Sequence, residues 1–346
     1  RVRRGGMGGG RGYDAEAALK VFVTGATGTF GSAFVEHVLQ DGLAERAVVF
    51  SRDEVKQSAL AGKLLPQYPD RLRFRLGDVR DLQRLLMAME GCDTVVHAAA
   101  LKIIGRGIDN PSEFVLTNVL GTQNVLMAAM ERRIRKVIVL SSDKACLSVN
   151  FYGHTKAMSE SLAVHWNTYS FPKGCRVAAC RWGNVLGSRG SVVQVFRAAA
   201  QARHPLPITD PRMTRFWITQ SQAVRFVVDC LWRMEGGEVF APRLPSMKIL
   251  DLGAAILGKD ALGSGDYEVI GLRAGEKLHE AMIAAEEAPR TREQDGFFVV
   301  EPPEASWRRD RPWTGKRVPE GFTLTSDLNP DWLSVVQMRR LLERIP

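Results

Sequence analysis

The chain has 346 residues, of which 45% are hydrophobic and 25% are charged, values typical of a soluble globular protein. Its formal net charge is +9, but beyond the first eleven residues the basic side chains are scattered and form no nucleic-acid motif, so an anionic small substrate explains the charge better. The sequence has neither a ~20-residue apolar run for a membrane span nor a metal-binding pattern among its five cysteines, so we expect a reduced, cytoplasmic protein.

Residues 1–18 are basic and rich in glycine, and they lack both periodicity and the apolar core of a secretion signal. We expect them to form a flexible tail and exclude them from the reasoning about the fold.

From Leu19 onward the pattern alternates between strand and helix. The predicted strands are apolar along their whole length and lie in LKVFVTG, AVVFSR, RLRFRLGDVRD, DTVVHAAA, KVIVLSS and RVAACRWGNVLG. Predicted helices lie in TFGSAFVEHVLQDG, LQRLLMAMEG and TNVLGTQNVLMAAMERR, and a further helix begins near Tyr152. This alternation predicts an α/β fold, a Rossmann-type doubly wound parallel sheet with helices on both faces.

The later chain is less regular and contains the proline-rich loops HPLPITDPRM and APRLPSM, as expected of a smaller C-terminal substrate lobe. We predict that residues 19–185 and 212–245 form the Rossmann domain. Residues 186–211 and 246–346 are predicted to form the lobe.

A glycine-rich turn, VTGATGTFG, lies directly between the first strand and the first helix. Its Gly25, Gly28 and Gly31 have the spacing G-x-x-G-x-x-G, which allows a tight turn and a close approach of backbone to a pyrophosphate, while the helix N-terminus supplies N–H donors. In this position the turn predicts a dinucleotide site; the alternative is a tight strand-to-helix turn that binds no ligand.

The second strand ends in SRDEVK, where dinucleotide folds distinguish NAD from NADP. Arg52 and Lys56 favour the 2′-phosphate of NADP, whereas Asp53 could hold the ribose hydroxyls of NAD, so NADP is preferred and NAD remains the alternative. Asp78 follows the third strand, where it could accept from the adenine amino group or simply stabilise a turn. The full predicted cofactor-binding set is Gly25, Thr27, Gly28, Thr29, Phe30, Gly31, Ser51, Arg52, Asp53, Lys56, Asp78, Val79, Ala98, Ala99, Lys102, Tyr152 and Lys156.

The stretch SSDKACLSVNFYGHTK carries the candidate catalytic groups. Tyr152 and Lys156 are four residues apart on one helical face, and a cation beside a phenol lowers its pKa, so Tyr152 is a plausible base for a substrate hydroxyl that Ser142 also contacts. Asp143 and Lys144 are adjacent in sequence. The residues alone favour a solvated salt bridge for this pair.

From Leu19 onward the chain resembles the extended short-chain dehydrogenase/reductases through its glycine-rich turn, HAAA and Tyr-x-x-x-Lys. More narrowly it is similar to the inverting UDP-N-acetylglucosamine 4,6-dehydratases. The matching segments are FSRDEVKQ, GDVRDLQRL, HAAALK, SSDKA, NFYGHTK, RWGNVLGSRGSVV, ITDPRMTRFWIT, PSMK and GLRAGEKLHE.

The resemblance implies an NADP-dependent hydro-lyase that converts UDP-N-acetylglucosamine, or a close UDP-sugar, to a 4-keto-6-deoxy sugar with inversion at carbon 5. Tyr152 would take the 4-hydroxyl proton, Lys144 the proton on carbon 5, and Asp143 would protonate the departing 6-hydroxyl. These roles need a neutral Lys144 and a protonated Asp143, and burial would push the pKa of each in that direction. They also require the chain to turn at Asp143, since adjacent side chains of a strand face opposite ways.

The resemblance also implies the residues that contact the substrate, and a homo-oligomer. The predicted substrate-binding residues are Lys102, Asn118, Asn184, Arg215, Arg273 and Glu276. Arginine pairs bidentately with a diphosphate and a carboxylate holds ribose hydroxyls, in agreement with this set.

The chain departs from the family pattern in two places. Ile103, Ile104 and Gly105 replace the usual His-Val-Pro after HAAALK, and Leu147-Ser148 replaces the usual Asn-Pro. Both segments are predicted to lie near the sugar, so the alternatives are a UDP-sugar epimerase or a dehydratase of different regiochemistry. A non-enzymatic nucleotide-binding scaffold would not need the residues Ser142, Asp143, Lys144, Tyr152 and Lys156 together.

Overall fold

The computed structural model of the chain describes residues 18–303, 307 and 313–345. The predicted tail, residues 1–18, lies outside the described residues except for Ala18. The strands of the described part are β1 (Leu19–Thr24), β2 (Ala44–Ser51), β3 (Leu72–Leu76), β4 (Thr94–His97), β5 (Lys136–Leu140), β6 (Arg176–Cys180), β7 (Asn184–Val185), β8 (Leu206–Ile208), β9 (Thr214–Ile218), β10 (Val239–Pro242), β11 (Ser246–Lys248), β12 (Tyr267–Val269), β13 (Ala281–Ile283), β14 (Thr291–Gln294), β15 (Phe297–Val300), β16 (Lys316–Arg317) and β17 (Leu324–Thr325).

The helices of the same residues are α1 (Thr29–Gln40), α2 (Glu54–Leu64), α3 (Leu82–Ala88), α4 (Ile104–Asp109), α5 (Pro111–Phe114), α6 (Gly121–Glu131), α7 (Phe151–His165), α8 (Asn167–Ser170), α9 (Val192–Gln201), α10 (Gln220–Arg233), α11 (Ile249–Leu257) and α12 (Val335–Leu342). A π-helical segment, Val115–Leu120, joins α5 to α6, and 3-10 turns lie at Phe171–Lys173 and Ala285–Arg290. None of the helices in residues 18–303, 307 and 313–345 combines the length and the apolar character that crossing a bilayer requires.

One large sheet organises the described residues, in the spatial order β16–β14–β15–β10–β6–β5–β4–β1–β2–β3. From β10 to β3 every neighbouring pair of strands is parallel. The order reverses at β1, which has β4 on one side and β2 on the other, and such a reversal opens a crevice at the carboxyl ends of the strands. The predicted α/β fold with a doubly wound parallel sheet is confirmed.

Both faces of the sheet are buried at its centre, which explains why β1, β4, β5 and β6 are mainly apolar. The edge strand β3 carries Arg73 and Arg75 and is partly exposed. In β1, Val21 and Val23 belong to one hydrophobic core and Phe22 to the other, because successive side chains of a strand point to opposite faces. Helices α1 and α10 cover the first face and helices α3 and α6 the second.

A third hydrophobic core lies away from the sheet and is formed mainly by α9, α11, α12 and the short strands β8, β9 and β11. It contains parts of both segments that were predicted to form the lobe. However, β14 and β15, which the predicted boundary places in the lobe, extend the large sheet by antiparallel pairing of β15 with β10. Their apolar Phe297–Val300 stretch covers an otherwise open sheet edge; the remaining domain division stays a prediction.

Candidate active site

The glycine-rich turn brings β1, α1 and the exit of β4 into close contact. Gly25 has a φ of +61°, and a Cβ on it would lie 2.7 Å from the backbone nitrogen of Ala99. A Cβ on Gly31 would lie 2.5 Å from the carbonyl oxygen of Gly25. No side chain caps the start of α1 at Gly28, so the first turn of the helix keeps its N–H donors for an anion.

A cavity of about 460 Å³ opens at this turn, where the carboxyl ends of the parallel strands meet. Every residue of the predicted cofactor-binding set lines it, from Gly25 directly after β1 to Tyr152 and Lys156 on α7. The fold therefore brings the whole set together in one place.

At the end of β2 the two candidate determinants of cofactor choice differ in their partners. The Asp53 carboxylate caps α2, accepting from the backbone N–H of Lys56 at 2.9 Å and pairing with the Lys56 ammonium; these hydrogen bonds lower the pKa of Asp53. Arg52 is more exposed, and its Nη1 lies 3.4 Å from Oδ2 of Asp78. The carboxylate is thus engaged by the protein, whereas the guanidinium still faces solvent.

The chain leaves β5 at Leu140 and turns over residues 143–147, as the predicted acid–base pair requires. Asp143 Oδ1 accepts from Ser142 Oγ at 2.9 Å and from Lys144 Nζ at 3.0 Å. Its other oxygen, Oδ2, is buried and has no hydrogen-bond partner among the described residues. The side chain of Asp143 is 1% exposed and that of Lys144 18% exposed, so the reading of the pair as a solvated salt bridge is wrong.

A second carboxylate, Glu280, completes the group, and the sequence reasoning missed it. Its Oε1 lies 3.1 Å from Lys144 Nζ, and the residue is 2% exposed. It comes from the segment before β13, at the end of the GLRAGEKLHE motif. That motif was the one sequence signal for Glu280, but nothing in it indicates that Glu280 pairs with Lys144, which lies far earlier in the chain.

The protonation states differ in part from the expectation. Burial raises the pKa of Asp143, and the negative charge of Glu280 adds to the rise, so this carboxyl suits the acid role. Burial alone would lower the pKa of Lys144, but the two carboxylates outweigh it and raise the pKa above its ordinary value. This direction favours an ammonium for Lys144, whereas the proposed base role needs the neutral amine.

Tyr152 and Lys156 are buried in the first turns of α7, whose start is capped by Asn150 accepting from Gly153 N–H at 2.8 Å. Burial raises the pKa of Tyr152, and Lys144 and Ser142 partly oppose it. Burial also lowers the pKa of Lys156 to about 8, and its ammonium donates to the carbonyl of Leu140. Burial thus outweighs the expected lowering of the Tyr152 pKa. The positive charge that opposes burial is that of Lys144.

Two predicted substrate contacts hold the protein together instead of facing an open site. Asn118 accepts from Leu101 N–H at 2.8 Å and donates to Leu101 O at 2.9 Å and Thr155 Oγ1 at 3.0 Å, which braces the loop after β4 against α7. Arg215 donates to the carbonyls of Lys277 and Leu278 at 3.0 Å. Both side chains are buried and make these hydrogen bonds within the protein, and their roles in substrate binding stay predictions.

The other predicted substrate residues lie closer to open space. Lys102 lines the cavity, and burial lowers its pKa. Asn184 Oδ1 lies 3.4 Å from Lys144 Nζ, beside the acid–base group. Glu276 accepts from the backbone N–H of the exposed Arg273 at 3.3 Å and lies 3.8 Å from Arg215.

The two departures from the family pattern take different forms. Ile103 is 57% exposed and precedes α4. Leu147 is 56% exposed and has a φ of +47°, a left-handed conformation that disfavours leucine. Ser148 Oγ lies 2.8 Å from Nδ1 of His154, one turn into α7.

Comparison with known proteins identifies the family of the chain. Residues 21–302 match the family described as polysaccharide biosynthesis protein. A UDP-N-acetylglucosamine 4,6-dehydratase (inverting) from Campylobacter jejuni is 39% identical over 330 residues, which cover 93% of this chain and 96% of that protein.

Solved structures give the same picture of the fold. Pen from Bacillus thuringiensis has a TM-score of 0.84 and 32% identity, covering 94% of this chain and 97% of its own. The dTDP-glucose 4,6-dehydratase DesIV from Streptomyces venezuelae, solved with NAD and TYD bound, has a TM-score of 0.67 and 24% identity, covering 75% and 87%, and supports the fold alone. The chain belongs to the polysaccharide biosynthesis protein family of extended short-chain dehydrogenase/reductases.

Proposed function

We propose that the protein is an NADP-dependent hydro-lyase that converts UDP-N-acetylglucosamine, or a close UDP-sugar, to a 4-keto-6-deoxy sugar with inversion at carbon 5. The observation that carries the proposal is the buried Asp143–Lys144 pair near Tyr152, a residue that lines the cavity at the glycine-rich turn. A plain dehydrogenase needs the tyrosine and lysine of α7 but has no use for a second acid–base pair. The similarity to an inverting UDP-N-acetylglucosamine 4,6-dehydratase supports the same substrate.

The cavity fits a nicotinamide dinucleotide, since Gly25 and Gly31 leave no room for a Cβ and α1 starts uncapped. Arg52 favours NADP because its guanidinium is exposed for a 2′-phosphate, while the competing Asp53 is held by Lys56. A bound nicotinamide would supply reversible hydride storage between carbon 4 and carbon 6, so the cycle would have no net redox change.

The first proton transfer belongs to Tyr152, which takes the 4-hydroxyl proton as the 4-ketone forms. Burial raises its pKa, so Tyr152 must first release its own proton to solvent before it can act as the base. The ammonium of Lys144 and the hydroxyl of Ser142 favour the phenolate that this release leaves. Lys156 is placed one turn further along α7, where its ammonium holds the carbonyl of Leu140 and the end of β5 in position.

Elimination of water belongs to Asp143 and Lys144. One proton passes from Lys144 Nζ to Asp143 Oδ1 across 3.0 Å, which produces a neutral amine and a protonated carboxyl together. The amine then removes the proton on carbon 5, which the 4-ketone has acidified, and Asp143 returns its proton to the departing 6-hydroxyl. Reprotonation of carbon 5 from the opposite face gives the inversion.

The test is incubation with UDP-N-acetylglucosamine and NADP in deuterated water, followed by NMR and mass spectrometry. We expect loss of one water, deuterium at carbon 5 and unchanged nicotinamide absorbance. An epimerase would conserve the mass of the substrate. Recovery of untouched substrate across a panel of UDP-sugars would contradict the proposal; self-association and a cytoplasmic location remain predictions.

A further inference from the structure

Glu280 is a buried carboxylate that the reaction described above does not use. Its Oε1 lies 3.1 Å from Lys144 Nζ, and its Oε2 is buried without a hydrogen-bond partner in the described part of the chain. Its backbone is fixed on both sides, since its N–H donates to Ser326 Oγ at 2.9 Å and its carbonyl accepts from Ser326 N–H at 2.8 Å. The carboxylate of Glu280 is thus fixed beside Lys144, the proposed base, where it can affect proton transfer.

We propose that Glu280 is the positioning residue of the acid–base group: it stays ionised, holds the amine of Lys144, and leaves Asp143 as the carboxyl that exchanges the proton. The proposal rests on the proposed dehydratase function. It adds a third residue to the machinery, one that acts through Lys144 and Asp143.

The two carboxylates that share Lys144 have different surroundings. Besides Lys144, Glu280 has Lys277 Nζ at 3.5 Å and Arg215 Nε at 3.8 Å. Burial opposes its ionisation, but the three cations outweigh burial and lower its pKa, whereas the pKa of Asp143 is raised. Environments that push the pKa values of two neighbouring acids apart assign them different roles. The charged and titratable groups around the cluster are Asp143, Lys144, Tyr152, Arg215, Glu276, Lys277 and Glu280.

The asymmetry matters at the moment when Lys144 gives its proton to Asp143. The N–H bond to that proton breaks, an O–H bond forms on Asp143, and the attraction between the two charges disappears. The neutral amine keeps two N–H groups, and Glu280 Oε1 at 3.1 Å and Asn184 Oδ1 at 3.4 Å can accept them. The lone pair then has a fixed direction, which proton abstraction from carbon requires.

The test compares the pH dependence of kcat for water loss in the wild type and in Glu280→Gln. The negative charge of Glu280 lies 3.1 Å from Lys144 Nζ and raises the pKa of both Lys144 and Asp143. Its removal lowers both apparent pKa values, so we expect both limbs of the pH profile to move to lower pH by at least about one unit. The exposed Glu286→Gln, on the same segment, removes an equal charge and should move neither limb. An unshifted profile in Glu280→Gln would overturn the inference.

Two further variants keep the inference testable if Glu280→Gln folds poorly. Lys277→Gln removes a positive charge from the other side of Glu280 and should move both limbs to higher pH. Glu280→Asp keeps the charge and should restore the position of the limbs, with a lower kcat because the shorter chain reaches Lys144 less well. A shift in the same direction in Lys277→Gln and Glu280→Gln would contradict an electrostatic role and overturn the inference.

A single-turnover measurement separates this role from a merely structural one. The first hydride transfer depends on Tyr152, so Glu280→Gln should still reduce the bound nicotinamide on mixing while water loss slows by about tenfold or more. Loss of both steps together would identify Glu280 as structural only. If the wild type eliminates no water from any UDP-sugar, the proposed function fails. If the wild type eliminates water and the Glu280 variants behave like the wild type, only the role of Glu280 fails.

Discussion

Lys144→Ala should destabilise the protein in a way that depends on pH. Lys144 Nζ lies 3.0 Å from Asp143 and 3.1 Å from Glu280. At an effective dielectric constant of about 20, charges ~3 Å apart attract by roughly 5 kcal/mol, and breaking a buried ion pair costs about 3–5 kcal/mol. The Lys144 side chain is 18% exposed, so in the variant water can partly solvate the carboxylates that lose their partner. We therefore expect the unfolding free energy to fall by about 3 kcal/mol near pH 8.

The sign of the pH dependence follows from the carboxyl left behind. Without its ammonium partner, the buried Asp143 has a folded-state pKa still further above its unfolded value, so folding then takes up a proton. Stability from such a group is full below the unfolded pKa and is lost as pH rises through the folded pKa. The deficit of Lys144→Ala relative to the wild type should therefore be small at pH 5 and reach its full size by pH 8.

The assay is urea denaturation of both proteins at the two pH values. Lys63→Ala serves as the matched control, because Lys63 also pairs with a glutamate at 2.7 Å but is 57% exposed and should change stability by less than about 0.5 kcal/mol. Adding Asp143→Asn to Lys144→Ala should recover part of the loss. A deficit of equal size at pH 5 and pH 8 would refute the electrostatic reasoning, because a packing loss alone does not titrate.

Three other changes test separate parts of the molecule. Burial raises the pKa of Glu238 from 4.5 to about 7, so this group should remove about 3 kcal/mol of unfolding free energy as pH rises across that interval; a pH series of denaturation curves should show that Glu238→Gln lacks this slope. Leu147→Asn should raise the unfolding free energy by about 0.5–1 kcal/mol, because asparagine tolerates the left-handed φ of +47° better than leucine does. A lower midpoint of thermal unfolding in the variant than in the wild type would show that the backbone at Leu147 is not strained. Arg52→Ala should raise KM for NADP by about tenfold and leave KM for NAD nearly unchanged; equal changes for both cofactors in steady-state kinetics would exclude recognition of the 2′-phosphate by Arg52.

The cofactor cavity could be predicted from the sequence because its signals are local. A strand, a glycine-rich turn and a helix follow one another without interruption, and Gly25 and Gly31 are needed for contacts within that unit and with the next strand. The parallel sheet was equally predictable, since strands buried on both faces must be apolar throughout.

The acid–base group was only half predictable because its third member arrives from far along the chain. Asp143 and Lys144 are adjacent, but Glu280 also raises the pKa of Lys144, and no periodicity or spacing connects Glu280 to them. The hydrogen bonds of Asn118 were also not predictable: the family resemblance implied a substrate contact, whereas the structure shows its amide bonded to Leu101 and Thr155. Hydrogen-bond satisfaction depends on tertiary neighbours and leaves no trace in the local sequence.

The return of β15 to pair with β10 has a consequence for how the protein is made. During synthesis, the chain up to β10 leaves the ribosome before Glu280, Glu287 and β15 have been made. Until then β10 is an open sheet edge. Lys144 still lacks Glu280, one of its two carboxylate partners. Arg181, which is 4% exposed in the complete protein, still lacks Glu287. The nascent chain thus carries an unprotected edge and underpaired cations, the features that recruit chaperones or start misassociation. Under the proposed function, a fragment that ends before Glu280 should therefore eliminate water more slowly than the full chain.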